Sequence, residues 1–223
     1  MRRSTTAEAI VRSLAAEDGR ALRSDGQRNR DLVVDAALEI FAEDGMMGTV
    51  EKIAERAGVS RTTVYRSFPT RQALQIAVAT SQFAQIHRIA LDAQAGSDGR
   101  GSGLVDFVFG AFEYNQANRL YLELFGGRPT AEMRDVHVAS RLTIAELTDE
   151  SRAAGVVRAE VTDDDVALFV GGLSVRLATD RATTQDDWRR SARFALIGLG
   201  VPDRLLPPHR IPRAHLDPAA TDA

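Results

Sequence analysis

The 223 residues suffice for one globular domain with a smaller module, or for two small domains, and a chain of this size buries its own core. A 44% hydrophobic and 26% charged content excludes wholesale disorder and a collagen-like fibre, and no uninterrupted apolar run of membrane-spanning length is present. The net charge of −3 does not advertise a nucleic-acid binder, and the absence of cysteine excludes disulfides, thiol catalysis and thiolate metal sites while fitting a reducing cytoplasm.

Residues 1–27 mix small, polar and charged side chains, with Ile10, Val11 and Leu14 as the one hint of a helical face, and read as a flexible arm. Arg2 and Arg3 resemble the head of a signal peptide, but Glu8, Glu17 and Asp18 interrupt the apolar run such a peptide needs, so export by that route is disfavoured. Arg20 or Arg23 can reach a DNA minor groove, although a spectator arm is the better reading. From Arg28 the pattern tightens: Val33, Ala36, Ala37, Ile40 and Phe41 fall on one face of a helix that Gly45 ends. No strand-like alternation of useful length occurs, which makes the fold all-α.

Three hydroxyl residues then mark helix starts. Thr49 caps a helix of 50–57, Ser60 one beginning at Arg61, and Thr70 a longer one beginning at Arg71. Ala57-Gly58-Val59-Ser60 between the first two is a turn of helix-turn-helix length, with glycine where the chain reverses. Charge follows this segment: Lys52, Arg56, Arg61, Arg66 and Arg71 oppose only Glu51 and Glu55. Ile53, Ala54, Val59, Val64 and Phe68 supply the apolar contacts, which leaves Arg61, Thr62, Thr63, Tyr65, Arg66 and Ser67 exposed.

In order and spacing, Ala36-Ala37, Phe41, Gly45, Thr49, Ile53-Ala54, Ala57-Gly58-Val59-Ser60, Thr63-Val64-Tyr65, Phe68 and Leu74 resemble the DNA-binding domain of the TetR family of transcriptional regulators. Pro69-Thr70-Arg71 departs from a pattern in which many relatives carry a small polar residue and lysine; arginine keeps the charge but not lysine's geometry. The resemblance implies a helix-turn-helix domain over 28–74 and a helical ligand-binding and dimerisation domain over 75–206; Pro207, Pro208, Pro212 and Pro218 make 207–223 read as an irregular tail. In such a head the second helix enters the major groove. Arg61 and Arg66 then meet guanine or phosphate, and Thr62, Thr63 and Ser67 lie at the same surface. The resemblance favours Thr49, Tyr65 and Arg71 as phosphate binders; against this stands the plain alternative of a solvated helix face, and for Tyr65 of a ring that fills the core.

The middle of the chain reads as a long helix to about residue 95, a Gly/Ser-rich break, an apolar helix from Leu104, a short segment at 120–125 and a helix from about Thr130. Phe83, Phe107, Phe109, Phe112, Tyr114, Tyr121 and Phe125 concentrate here, either as core or as walls of a ligand cavity. His137 shares a face with Met133, Val136, Ser140, Ile144 and Leu147, so it points inward as a satisfied core histidine or a ligand contact; His87 follows Phe83 at helical spacing. Phe83, His87, Phe112, Gln116, Tyr121, Phe125, Met133, His137 and Arg141 form the expected ligand-binding set. Further on, Asp163, Asp164 and Asp165 follow Thr162 as first-turn helix acids rather than metal ligands. Val166, Val170, Gly171, Leu173 and Leu177, with Trp188, Ala192, Ala195, Leu196 and Leu199 on a helix of 186–199, are the expected dimer interface, with packing inside the subunit as the alternative.

No nucleophile elbow, zinc-protease helix or phosphate loop is present, so no catalytic residue, cofactor or metal is assigned and the chain is not read as an enzyme. The resemblance implies a cytoplasmic homodimer on a two-fold symmetric double-stranded DNA operator, acting as a repressor released by a small-molecule effector, with no membrane. A ligand-binding or scaffold protein of the same fold without DNA binding is the alternative.

Overall fold

A computed structural model describes residues 25–126, 128–180 and 182–207; the expected arm up to residue 24 and the tail from 208 lie outside them. The chain builds ten α-helices among these residues: α1 Asp25–Asp44, α2 Val50–Arg56, α3 Arg61–Ser67, α4 Arg71–Gly96, α5 Ser102–Ala117, α6 Leu120–Phe125, α7 Arg134–Ala153, α8 Asp163–Ala167, α9 Leu173–Ala178 and α10 Gln185–Gly198. Short 3-10 turns follow α1 and α10. No strand occurs among the described residues, as the sequence requires.

The three expected hydroxyl caps form. Thr49 accepts from the Lys52 N–H, Ser60 from Thr63 and Thr70 from Ala73, each satisfying a donor that a helix start leaves without a partner. Gly58 adopts φ 66°, while Val59 N–H donates back to Ala54 O at 3.0 Å and Gly58 N–H to Glu55 O at 3.1 Å. Those paired bonds close α2 and turn the chain into α3, a reversal that only a residue without Cβ makes cheaply.

Two apolar clusters result. The first joins Val33, Ala37, Ile40 and Phe41 of α1 to Ile53, Val64 and Phe68, and it continues into Leu74 and Val78 of α4 and Leu120 of α6. The second holds Leu104, Phe107, Val108 and Phe112 of α5 with Leu147 of α7 and Trp188, Ala192 and Leu196 of α10. In this helical body α4 lies against both α5 and α7, and α10 packs on α5.

Several expectations shift. Helix α1 begins at Asp25, inside the expected arm, and Gln27 donates to Asp31 at 2.9 Å one turn on. Helix α7 begins at Arg134 rather than near Thr130, after a turn at 131–133. Between α8 and α9 the chain makes one wide π turn, Leu168–Gly172, so the stripe beginning at Val166 does not follow α-helical spacing throughout. Within the subunit a Cβ on Gly171 would meet nothing within 4 Å.

Gly101 carries a firmer constraint. Its φ is 81°, and a Cβ there would stand 2.9 Å from the backbone Cα of Ser151, whose hydroxyl donates to Gly101 O at 2.9 Å. Gly101→Ala combines left-handed strain with a backbone clash, and a loss of about 2–4 kcal/mol in unfolding free energy is expected in urea denaturation. Gly99→Ala, equally left-handed at φ 73° but in open space, should cost about 1 kcal/mol.

Candidate nucleic-acid interface and central cavity

The head presents α3 on its surface. Val64 is buried beneath it, while Arg61, Thr62, Tyr65 and Arg66 are exposed and Thr63 and Ser67 half-buried. Tyr65 therefore does not fill the core; 46% of it remains open to solvent. The Thr63 hydroxyl lies 2.9 Å from Ser60 Oγ and belongs to the capping arrangement of the helix.

The basic residues divide by their partners. Arg56 braces α2 against α1, at 2.6 Å from Glu39 and 3.1 Å from Glu43, and Lys52 pairs with Asp44 at 2.7 Å. Arg61 meets Glu51 at 2.8 Å across the turn, and the start of α2 together with Arg61 holds the Glu51 carboxyl below its ordinary range. Arg71 lies over the Phe41 ring at 5.5 Å. Arg66 pairs with no carboxylate among the described residues, so its charge faces solvent uncompensated. Arg30 escaped the sequence reading: it donates to Ser67 O at 2.8 Å and covers the Phe68 ring at 4.2 Å, which clamps the end of α3 onto α1. Its partner lies 37 residues away, and no local pattern signals such a contact.

The body contains a cavity of about 140 Å³. Phe83 and Ile86 of α4, Phe107 and Asn115 of α5, and Tyr121 and Leu122 of α6 form one side. His137, Ser140, Arg141 and Ile144 of α7, with Ala167, Val170 and Gly171, complete the lining, and the space is partly open to solvent. The Phe83 ring stands 5.1 Å from Tyr121 and stacks on His137 at 5.7 Å. Burial, and then the neighbouring Arg141 charge, lower the His137 pKa, so the imidazole is neutral at pH 7. Arg141 donates to the carboxylates of Asp163 and, at 2.5 Å, Asp164. Asp165 completes a capping box with Thr162, so the acidic trio is divided between a helix cap and an ion pair.

Of the expected ligand residues, Phe83, Tyr121, His137 and Arg141 line this cavity. His87 does not; it is buried with Nδ1 unpartnered, and burial lowers its pKa. Met133 is spent in the core, and Phe112 packs its ring edge against Trp188 at 6.1 Å. Gln116 borders instead an open polar cleft of about 360 Å³ beside Phe41 and Gln82. The role expected of Phe125 concerns a side chain outside the described residues. Asn115, missed in the sequence, is buried and donates to Ser174 Oγ at 3.0 Å.

Most of the residues expected at the dimer interface are buried within the subunit instead. Trp188, Ala192, Ala195, Leu196 and Leu199 are buried inside their own subunit, as are Val166 and Val170, because α10 packs its apolar face on α5. These side chains have no surface left for a second copy. Leu173 and Leu177 pack half-buried against the same core, and Gly171 borders the cavity. The exposed apolar residues nearby are Leu168 (70% exposed), Phe194 (56%) and Ile197.

A helix-turn-helix head carrying an uncompensated arginine on its second helix, joined through a long helix to a helical body, defines a DNA-binding transcriptional regulator. Residues 33–78 match the family described as bacterial regulatory proteins, tetR family. The HTH-type transcriptional regulator RutR of Escherichia coli K12 is 33% identical over 163 residues, 68% of either chain. The class D tetracycline repressor protein of Escherichia coli is 38% identical over 66 residues, 29% of this chain and 30% of that one. A TetR transcription regulatory protein from Mycobacterium vanbaalenii superposes with a TM-score of 0.60 at 29% identity, over 80% of this chain and 99% of the other. The chain belongs to the TetR family of regulators.

Proposed function

We propose that the protein is a cytoplasmic homodimeric repressor that reads a two-fold symmetric operator through α3 and is released by a small effector held in the central cavity. The exposed Arg66 and Tyr65 on α3 carry the DNA side of this reading, with Arg61, Thr62, Thr63 and Ser67 at the same surface and Thr49 and Arg71 at flanking helix starts toward phosphates. One such helix spans few base pairs, so a second subunit supplies the other half-site. The apolar surface left exposed supports that reading: Leu168, Phe194 and Ile197 are exposed, and Phe169 lies against Gly198 of α10, where a Cβ would stand 3.3 Å from the ring.

The cavity communicates with the head through α6. Leu120 is buried in the head's apolar cluster, while the next residue, Tyr121, lines the cavity and donates its backbone N–H to the buried Gln82 Oε1 at 2.8 Å. An effector that displaces Tyr121 therefore pulls on a residue lodged beneath the DNA-binding helices, and a change of spacing between two heads lowers operator affinity.

The reading is tested by selecting duplexes from a random pool and measuring mass in solution. A palindromic site bound by a dimer is expected. Phe194→Glu with Ile197→Glu should leave a folded monomer whose operator affinity falls about 100-fold or more, because the second half-site no longer contributes. A monomeric wild type, or a double variant that still dimerises, contradicts it.

A further inference from the structure

We propose that the effector is an uncharged molecule built on one planar ring with polar substituents. The inference rests on the effector reading of the cavity and adds its chemistry.

Size sets the first limit. An apolar cavity of about 150 Å³ holds a single benzene ring, and the space here is about 140 Å³. Shape sets the second: Phe83 and Tyr121 stand 5.1 Å apart with 47° between their planes, and Phe107 adds a third ring, so flat faces and edges border the space. A flat ligand meets such walls by offset or edge contact.

Charge sets the third limit. Arg141 is the lining residue with a full charge, and its guanidinium is already shared by Asp163 and Asp164, two carboxylates for one cation. An anionic ligand must detach at least one of them or enter a mostly apolar space without a counter-ion. A cation meets no carboxylate in the lining and is repelled by Arg141. His137 is neutral for the reasons given above. What remains is hydrogen-bonding capacity: the Asn115 amide, the Ser140 hydroxyl and the His137 imidazole. These groups reward a hydroxyl, carbonyl or ring N–H and offer nothing to a bare hydrocarbon.

Calorimetry on the whole protein with phenol, benzoate and 2-naphthol separates ring, charge and size. Phenol is expected to bind saturably at one site per subunit, with benzoate and 2-naphthol each at least about ten-fold weaker. Gly171→Leu, whose Cβ has no atom within 4 Å, and Ile86→Trp, elsewhere in the lining, should each weaken phenol at least about ten-fold while keeping the helical circular dichroism of wild type. Absence of phenol binding, benzoate or 2-naphthol binding as tightly as phenol, or phenol binding unmoved by both variants overturns the inference. If phenol binds in the cavity but leaves affinity for the selected operator unchanged, the inference on ligand class stands and the effector reading fails.

Discussion

Replacing Trp188 with alanine should lower the free energy of unfolding by about 3–5 kcal/mol. Its ring is 1% exposed, lies edge-on to Phe112 at 6.1 Å, and sits 5.6 Å from the Arg119 guanidinium. Arg119 in turn donates to Gln116 O at 3.0 Å and to Asp180 O at 3.2 Å, so the indole supports the residue that ties the end of α5 to the loop before α10. Deletion opens a void between α5 and α10 that the surrounding helices fill only in part. In a chain of this length the change corresponds to a melting temperature lower by roughly 6–20 °C, read by circular dichroism because the variant has no tryptophan to report. Trp188→Phe discriminates the origin of the loss. The indole Nε1 is buried without a partner, so phenylalanine keeps most of the apolar contact and removes an unsatisfied donor. A cost of about 1 kcal/mol or less is expected for it, and alanine and phenylalanine variants of equal stability would place the stabilisation elsewhere.

The contrast between head and body explains what the sequence discloses. Thr49, Ser60 and Thr70 announce themselves because each cap joins a hydroxyl to an N–H three residues on, and Gly58 because the turn it makes is a property of its own backbone. The side of α10 that is apolar is likewise written in its period, and Trp188, Ala192, Ala195, Leu196 and Leu199 do share one face. What that face meets is not local information. A stripe buried against α5 and one buried against a second subunit have the same pattern, and in this chain the α10 stripe meets α5. The cavity shows the same division. His137 is inward-facing by spacing alone, whereas Asn115 becomes a lining residue only when Ser174, 59 positions away, closes on it, and His87 loses its place because α4 presents Phe83 and Ile86 to the space instead. The π turn at Leu168–Gly172 opposes helical periodicity and carries no residue signature beyond two glycines.

Arg66→Ala should lower affinity for the selected operator more than any other single arginine change in the head. The five basic residues between Gly45 and Arg71 are not equivalent once their partners are known. Arg56 is bound to two glutamates of α1 and serves to hold α2 in place; Arg61 must leave Glu51 before it reaches DNA; Arg66 has no such competitor among the described residues. An unpaired surface arginine keeps its full Coulomb attraction for phosphate and the complete guanidinium fork for a guanine edge. Each contact contributes about 1–3 kcal/mol, and a dimer loses it twice, so the expected weakening is at least about 30-fold. Arg61→Ala should cost less, because Arg61 gives up its ion pair with Glu51 in order to reach DNA and so contributes less net attraction, and Arg56→Ala should act mainly by loosening the head, visible as lower thermal stability. The salt series decides which chemistry Arg66 performs. A phosphate contact lowers the slope of log affinity against log salt by about one per subunit and weakens all duplexes alike, whereas a base contact leaves the slope nearly unchanged and relaxes preference at one position of each half-site. Operator affinity equal to wild type would mean that α3 does not enter the groove with its Arg66 side, and the docking of the whole head would have to be redrawn.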